Sequence, residues 1–186
     1  RLRLAVYDGS GTSLIVDNTQ VFDDDNWHHL AFTTDGTTSA DKVIVYFDGQ
    51  PLTTTGTLSN SGIKSTVGSL KIGAYVTTQN TFDGELSNFQ TWGTELSAPN
   101  ITTLYNNGVP YTGTQPEATN LKGWWKLNVD TSTWDGSDWV IGEAQANYTS
   151  ALDFDGSGYI TISPNTFDAT NGLTMSCWVR YDRLTT

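Results

Sequence analysis

Two runs decide the fold of this chain: WHHLAFTTDG at residues 27–36 and KVIVYFDG at residues 42–49. Each is a short run of aromatic, branched and small apolar residues that closes in Asp-Gly, which is typical of a strand followed by a tight turn. Side chains alternate along an extended chain, so Trp27, His29 and Ala31 share one face of the first strand. Because neither face of that strand is fully polar, the pattern predicts an inner strand covered on both sides.

A second group of motifs lies downstream and strengthens this prediction. It reads FDGELSNF at residues 82–89, TELS at residues 94–97 and LYNNG at residues 104–108. Together with the first two runs, these motifs resemble the laminin-G-like jelly roll of the concanavalin A-like lectin and glucanase superfamily. The resemblance implies an all-β, antiparallel jelly-roll β-sandwich with one short helix near residues 97–106. It implies no single function, because that family holds binders, enzymes and structural modules.

Composition excludes some classes of partner. The 186 residues carry nine Lys and Arg against twenty Asp and Glu, for a formal charge of −11. A chain this acidic is poorly suited to neutralising phosphates, so nucleic acid and anionic membranes are not predicted partners. No run reaches the roughly 18 apolar residues that a membrane-spanning helix needs, so membrane insertion is not predicted either.

The order of the segments is unusual. Residues 1–112 resemble the C-terminal portion of a laminin-G-like sandwich, residues 113–121 have the composition of a linker, and residues 122–186 resemble the N-terminal portion. An incomplete sandwich exposes strand edges and an apolar face, so we expect completion within the chain or with a neighbouring copy. Three origins fit this order: a window cut from tandem domains, a circularly permuted domain, or a repeating assembly in which copies complete one another.

No catalytic residues are predicted. Glucanases of the family that the chain resembles place their carboxylates in a Glu-x-Asp-x-x-Glu run, and this sequence has no such run. Ser-His-Asp chemistry would have to recruit His28 or His29 from a strand, without a nucleophile elbow. We therefore expect a protein that is not an enzyme, and glycoside hydrolase is kept as the second alternative.

Calcium is the one cofactor for which the sequence offers candidates. Loops at the rim of a sandwich can supply the several oxygen ligands that Ca²⁺ takes. No acidic stretch has the fixed spacing of a calcium loop such as the EF-hand, and a turn also explains an Asp that precedes Gly. His28 and His29 point to opposite faces of a strand and cannot bind one ion together. The candidates are Asp23, Asp24, Asp25, Asp135 and Asp138.

Tryptophans are the candidates for sugar binding, because ring faces stack on the apolar faces of sugars. The competing interpretation is that they pack a core or a domain interface. The candidates are Trp124, Trp125, Trp134 and Trp139. Two N-glycosylation acceptor patterns also occur, at Asn100 and Asn147.

These observations predict a structural or assembly module of a repetitive extracellular or virion-associated fibre, with adhesion to glycans. The WDGSDW stretch at residues 134–139 is similar in style to tandem modules of phage structural proteins. The predicted partners are copies of the chain itself, joined by strand complementation, and surface glycans. The predicted location is extracellular or on the virion surface. The first alternative is a carbohydrate-binding module of the lectin type.

Overall fold

A computed structural model describes residues 2–7, 13–18, 24–36, 43–53, 66–76, 79–127, 132–134, 139–141, 151–156, 158–167 and 171–181. The strands are β1 (Leu2–Tyr7), β2 (Ser13–Asn18), β3 (His28–Thr34), β4 (Val43–Phe47), β5 (Gln50–Pro51), β6 (Thr66–Ile72), β7 (Ala74–Val76), β8 (Gln79–Thr81), β9 (Asp83–Trp92), β10 (Leu121–Trp125), β11 (Ser132–Trp134), β12 (Trp139–Ile141), β13 (Leu152–Asp155), β14 (Ile160–Phe167) and β15 (Leu173–Tyr181). Within these residues the helices are α1 (Ala98–Tyr105) and two 3-10 turns, Asn106–Gly108 and Ala118–Asn120. The predicted all-β antiparallel sandwich with one short helix is confirmed.

The largest sheet has seven strands. Its order is β10-β9-β15-β3-β4-β5, and β13 pairs with β9 as well. β10 and β13 lie end to end along the same edge of β9, beside residues 89–92 and 83–86 respectively. β15 lies between β9 and β3, antiparallel to both. Strands from residues 1–112 and from residues 122–186 therefore share one sheet of the same chain, while the bounds of the three predicted segments stay a prediction.

A bulge at Asn88 resets the side-chain alternation of β9. Asn88 has a φ of 50°, and the register with β15 shifts at this point. An extra residue in one strand of an antiparallel pair has this effect. Leu86 before the bulge and Phe89 after it consequently face the same core.

The main core lies between one face of the seven-stranded sheet and the β6–β14 pair. Ile72 of β6 and Ile160 of β14 pack there against Leu86, Leu152 and Val179 of the large sheet. Full burial of such a side chain contributes about 1.5–3 kcal/mol. This packing fixes one face of the large sheet as apolar and leaves the other face for α1.

Helix α1 covers that second face. Ser97 caps its start by accepting a hydrogen bond from the Asn100 amide at 3.4 Å, and the chain leaves the helix at Asn106 in the left-handed conformation. Ile101 and Leu104 are its buried residues. They pack in a second core cluster with Ala31, Tyr46, Trp92 and Leu96. We refer to this side of the seven-stranded sheet as the helix face.

Candidate functional site

The centre of the helix face is polar and closed. His29 of β3 is 1% exposed and Ser176 of β15 is 3% exposed, and His29 Nε2 lies 2.7 Å from Ser176 Oγ. The Trp178 ring lies beside His29, with centroids 5.4 Å apart, and Tyr105 of α1 stacks on it at 6.0 Å. The serine–histidine pair has the geometry of a nucleophile and its base. The His29–Ser176 pair is buried beneath the Trp178 and Tyr105 rings, so its role in this conformation is in packing.

Burial also sets the protonation of His29. Desolvation lowers the pKa of His29 to about 4, against an opposing contribution from Asp48. The ring is therefore neutral at pH 7, with one nitrogen as donor and the other as acceptor. Nε2 is bonded to Ser176, while Nδ1 has no hydrogen-bond partner among the described residues.

The segment predicted as a linker lies across the same face. Gln90 of β9 donates to Gln115 Oε1 at 2.8 Å, and Gln115 Nε2 donates to the carbonyls of Tyr111 and Gly113. Trp92 Nε1 donates to the carbonyl of Pro116 at 2.8 Å. Buried amides bonded in this way hold the segment in place, because breaking one bond leaves its partner unsatisfied.

His28, next to His29, has the opposite environment. Its Nδ1 lies 2.8 Å from Asp48 Oδ2 and its Nε2 lies 3.0 Å from Asp24 Oδ1. Carboxylates only accept hydrogen bonds, so both contacts together require the protonated ring. Burial lowers the pKa of His28, but the bonds to Asp48 and Asp24 raise it, and the net shift is upward. Hydrogen bonds from Asn26 and His28 lower the pKa of Asp24 to about 2.

These contacts bear on the calcium candidates. Asp24 is engaged by His28 and by the Asn26 amide, and Asp25 lies beside it with a φ of 62°. In the described part of the chain, no group of three or more His, Cys, Asp or Glu side chains is placed to hold a metal ion. Asp23, Asp135 and Asp138 lie outside the described residues. Calcium binding stays a prediction.

The structure separates Trp124 from Trp125, two of the four candidate tryptophans. Trp125 packs against the main core beside Phe89, with ring centroids 5.9 Å apart. Trp124 faces the other way and donates through Nε1 to Asn88 Oδ1 at 2.9 Å. Trp134 and Trp139 are paired across the β11–β12 hairpin. Trp124 and Trp125 therefore face opposite ways, the side chains of Trp134 and Trp139 lie outside the described part of the chain, and sugar binding by any of the four stays a prediction.

The two glycosylation patterns differ in what the structure describes. Asn100 lies in α1, where Ile101 is fully buried and the Thr102 hydroxyl donates to the Ala98 carbonyl at 3.1 Å. The motif is therefore bound into a folded helix. Asn147 lies outside the described residues. Modification of either site stays a prediction.

Sequence reasoning missed the partners that close the helix face. Ser176 lies 147 residues from His29, and Gln115 lies 25 residues from Gln90. No local motif marks such long-range pairs. It also missed the ion pair of Glu85 with Arg180, although a register of β9 and β15 would have placed them opposite each other.

The described helices include none that is long and apolar enough to cross a membrane. A family model, Laminin_G_3, with the description Concanavalin A-like lectin/glucanases superfamily, matches residues 1–102. This confirms the predicted resemblance. No curated protein and no solved structure matches the chain.

Proposed function

Because the chain belongs to the concanavalin A-like lectin/glucanases superfamily, we propose that it is a structural and assembly module that adheres to surface glycans. The module forms part of a repetitive fibre, which is extracellular or lies on a virion surface. Its partners are further copies of the chain and the glycans of the surface it contacts.

The observation that carries the proposal is that both faces of the seven-stranded sheet are covered. The core cluster with Ile72 and Ile160 covers one face. On the other, Ile101 and Leu104 of α1 pack on the sheet and Gln115 bonds to Gln90. A substrate would need an open sheet face or cleft. This arrangement favours binding to partner molecules at the edges of the sheet and at the outer surface of the protein.

The engaged carboxylates support the same proposal. Glu85 pairs with Arg180, and Asp48 bonds both the His28 ring and the His29 amide. A glycoside hydrolase needs two carboxyl groups flanking the scissile bond, one of them able to donate a proton. Glu85 and Asp48 already hold these partners, so neither is free to flank a glycosidic bond. We therefore rank hydrolysis last among the alternatives.

The test uses the full chain at increasing concentration. Negative-stain electron microscopy is expected to show filaments or linear oligomers, and a reducing-sugar assay on a panel of β-glucans is expected to show no turnover above a heat-denatured control. Monomeric particles at every concentration would contradict the assembly role. Sustained sugar release would replace it with the hydrolase.

A lectin-type module is the second candidate, and the placement of Trp124 favours it. The ring is half-buried, its indole is fixed by Asn88, and Lys126 Nζ lies 4.5 Å from the ring centroid. A rigid aromatic ring beside polar groups suits a sugar face and its hydroxyls.

Glycan-array binding measured on wild type and on Trp124→Ala tests this candidate. If Trp124 anchors the ligand, we expect a loss of about 30-fold, as for an aromatic anchor at an interface. Trp27→Ala is the matched control, because Trp27 is also half-buried but lies beside Arg180. Equal losses in both variants, or none, would contradict a site at Trp124.

A further inference from the structure

β15 occupies a position that joins the two halves of the large sheet. It pairs with β3 on one side and with β9 on the other, along most of its length. Without it, β3 and β9 share no ladder of hydrogen bonds. We call the two facing edges of β3 and β9, with the side chains beside them, the β15 slot.

On the helix face, the β15 slot forms hydrogen bonds with the hydroxyl groups of two β15 residues, Thr174 and Ser176. Thr174 Oγ1 donates to the Thr94 carbonyl at 2.8 Å and accepts from the Leu96 amide at 2.9 Å. Ser176 bonds His29 at 2.7 Å. Both hydroxyls are buried, so an apolar residue at either position would leave buried polar groups without partners.

The same slot takes large apolar residues at defined positions. Trp178 is 3% exposed, between His29 and the stacked ring of Tyr105. On the opposite face, Leu173 and Val179 are buried, and Val179 packs in the main core. The slot thus accommodates the side chains that β15 directs alternately to the two faces of the sheet. Peptide recognition by strand addition uses pockets for alternate side chains in the same way.

Glycine is required where the strand begins. Gly172 has a φ of +95°, and a Cβ there would lie 2.7 Å from the Glu95 amide nitrogen and 2.8 Å from the Thr34 carbonyl oxygen. Both neighbours are backbone atoms and cannot move aside as a side chain would. The slot therefore selects the segment 172–181 by backbone shape as well as by side chains.

The slot residues named above lie between positions 29 and 105, whereas the segment that fills the slot lies at 172–181. A second copy of the chain carries the same segment and can make the same contacts. We infer that β15 of one copy fills the β15 slot of another, so that copies join by strand exchange. This deepens the assembly role proposed above and rests on it.

Mass action governs the exchange. The closed and the exchanged forms make the same contacts in the slot, so their balance depends on the connecting segment and on protein concentration. At low occupancy, the ratio of exchanged dimer to closed monomer rises about tenfold for each tenfold rise in concentration.

A single substitution reports which copy fills the slot. Leu30 of β3 lies directly opposite Cys177, which is the chain's one cysteine. Directly opposed Cβ atoms lie about 4.5–5.5 Å apart, close to the span of a disulfide. The full chain with Leu30→Cys is refolded under oxidising conditions at several concentrations and analysed on a non-reducing gel. Strand exchange gives cross-linked dimers and longer species that increase with concentration, and cross-linking only within one chain overturns the inference.

Phe32→Cys is the matched control, because Phe32 faces Met175 and not Cys177. Exchange in register predicts far fewer cross-linked dimers from Phe32→Cys than from Leu30→Cys. Equal yields would show random oxidation of the cysteines and would overturn the inference.

Light scattering on refolded wild type gives a second measurement if Leu30→Cys does not fold, and monomers alone at all concentrations overturn the inference. Filaments with no 30–177 cross-link between chains would leave the proposed function standing and remove only the exchange. Cross-linked dimers without filaments would leave the exchange standing and remove the fibre setting from the proposed function.

Discussion

His28 and His29 are neighbours in sequence and opposites in structure. His29 faces α1, is almost fully buried and has a pKa lowered to about 4. His28 points to the other side of β3, between Asp24 and Asp48, and its pKa is raised. Neighbouring side chains of a strand point to opposite faces of the sheet. The pair shows that environment, and not residue type, decides whether a histidine acts here as a neutral packing group or as a cation.

Replacing each histidine with alanine is the strongest way to test this contrast. His29→Ala removes a ring packed against Trp178 and leaves the Ser176 hydroxyl buried without its partner. We expect a loss of about 3–4 kcal/mol in the free energy of unfolding, from the cavity and the unsatisfied hydroxyl together. Urea denaturation measures it. His28→Ala is the control and should lose much less, so equal losses would contradict the contrast.

Acid should reveal the buried histidine. The unfolded chain protonates His29 near pH 6.5 and the folded chain only near pH 4, so the unfolded state binds more protons between these values. The stability that neutral His29 contributes is present above pH 6.5 and is lost as pH falls to about 4, by about 3 kcal/mol in total. Denaturation midpoints from pH 7 to pH 4 measure the loss. A flat profile over this window, which lies mostly above the titration of ordinary carboxylates, would contradict the assignment.

Local rules predicted much of this and failed at identifiable places. Asp-Gly turns and alternation predicted β3 and β4, and the same alternation placed His28 and His29 on opposite faces. It would also have separated Trp124 from Trp125, which composition alone grouped as one sugar platform. Ser176 could not be assigned to His29, because their contact depends on β15 inserting between β3 and β9. The order of strands in the sheet depends on packing of the whole sheet. A local sequence motif does not encode that order.

Ser176→Ala tests the hydrogen bond apart from the ring. It removes the hydroxyl but keeps the His29 ring and its packing against Trp178 and Tyr105. We expect a loss of about 1–2 kcal/mol, the cost of leaving one buried nitrogen without a partner. Thermal unfolding measures it. Thr102→Ala is the control, because the Thr102 hydroxyl bonds only within exposed α1 backbone. A loss in Ser176→Ala no larger than in this control would show that the bond contributes little.

The smallest expected effect belongs to His28 and has the opposite sign of pH dependence. Its folded pKa lies above the unfolded value of 6.5, so the folded state binds more protons in the interval between them. The stability that protonated His28 contributes is present below pH 6.5 and is lost as pH rises through the folded pKa. Asp48→Asn removes the nearer carboxylate charge from the ring. NMR titration should therefore give a lower His28 pKa in this variant, and the alkaline loss of stability should shrink with it. The chain's second histidine, His29, gives an internal check, because loss of the Asp48 charge can only lower its pKa further. His29 should therefore stay neutral throughout this range, and a His29 pKa above 6.5 would contradict the division between the two faces of β3.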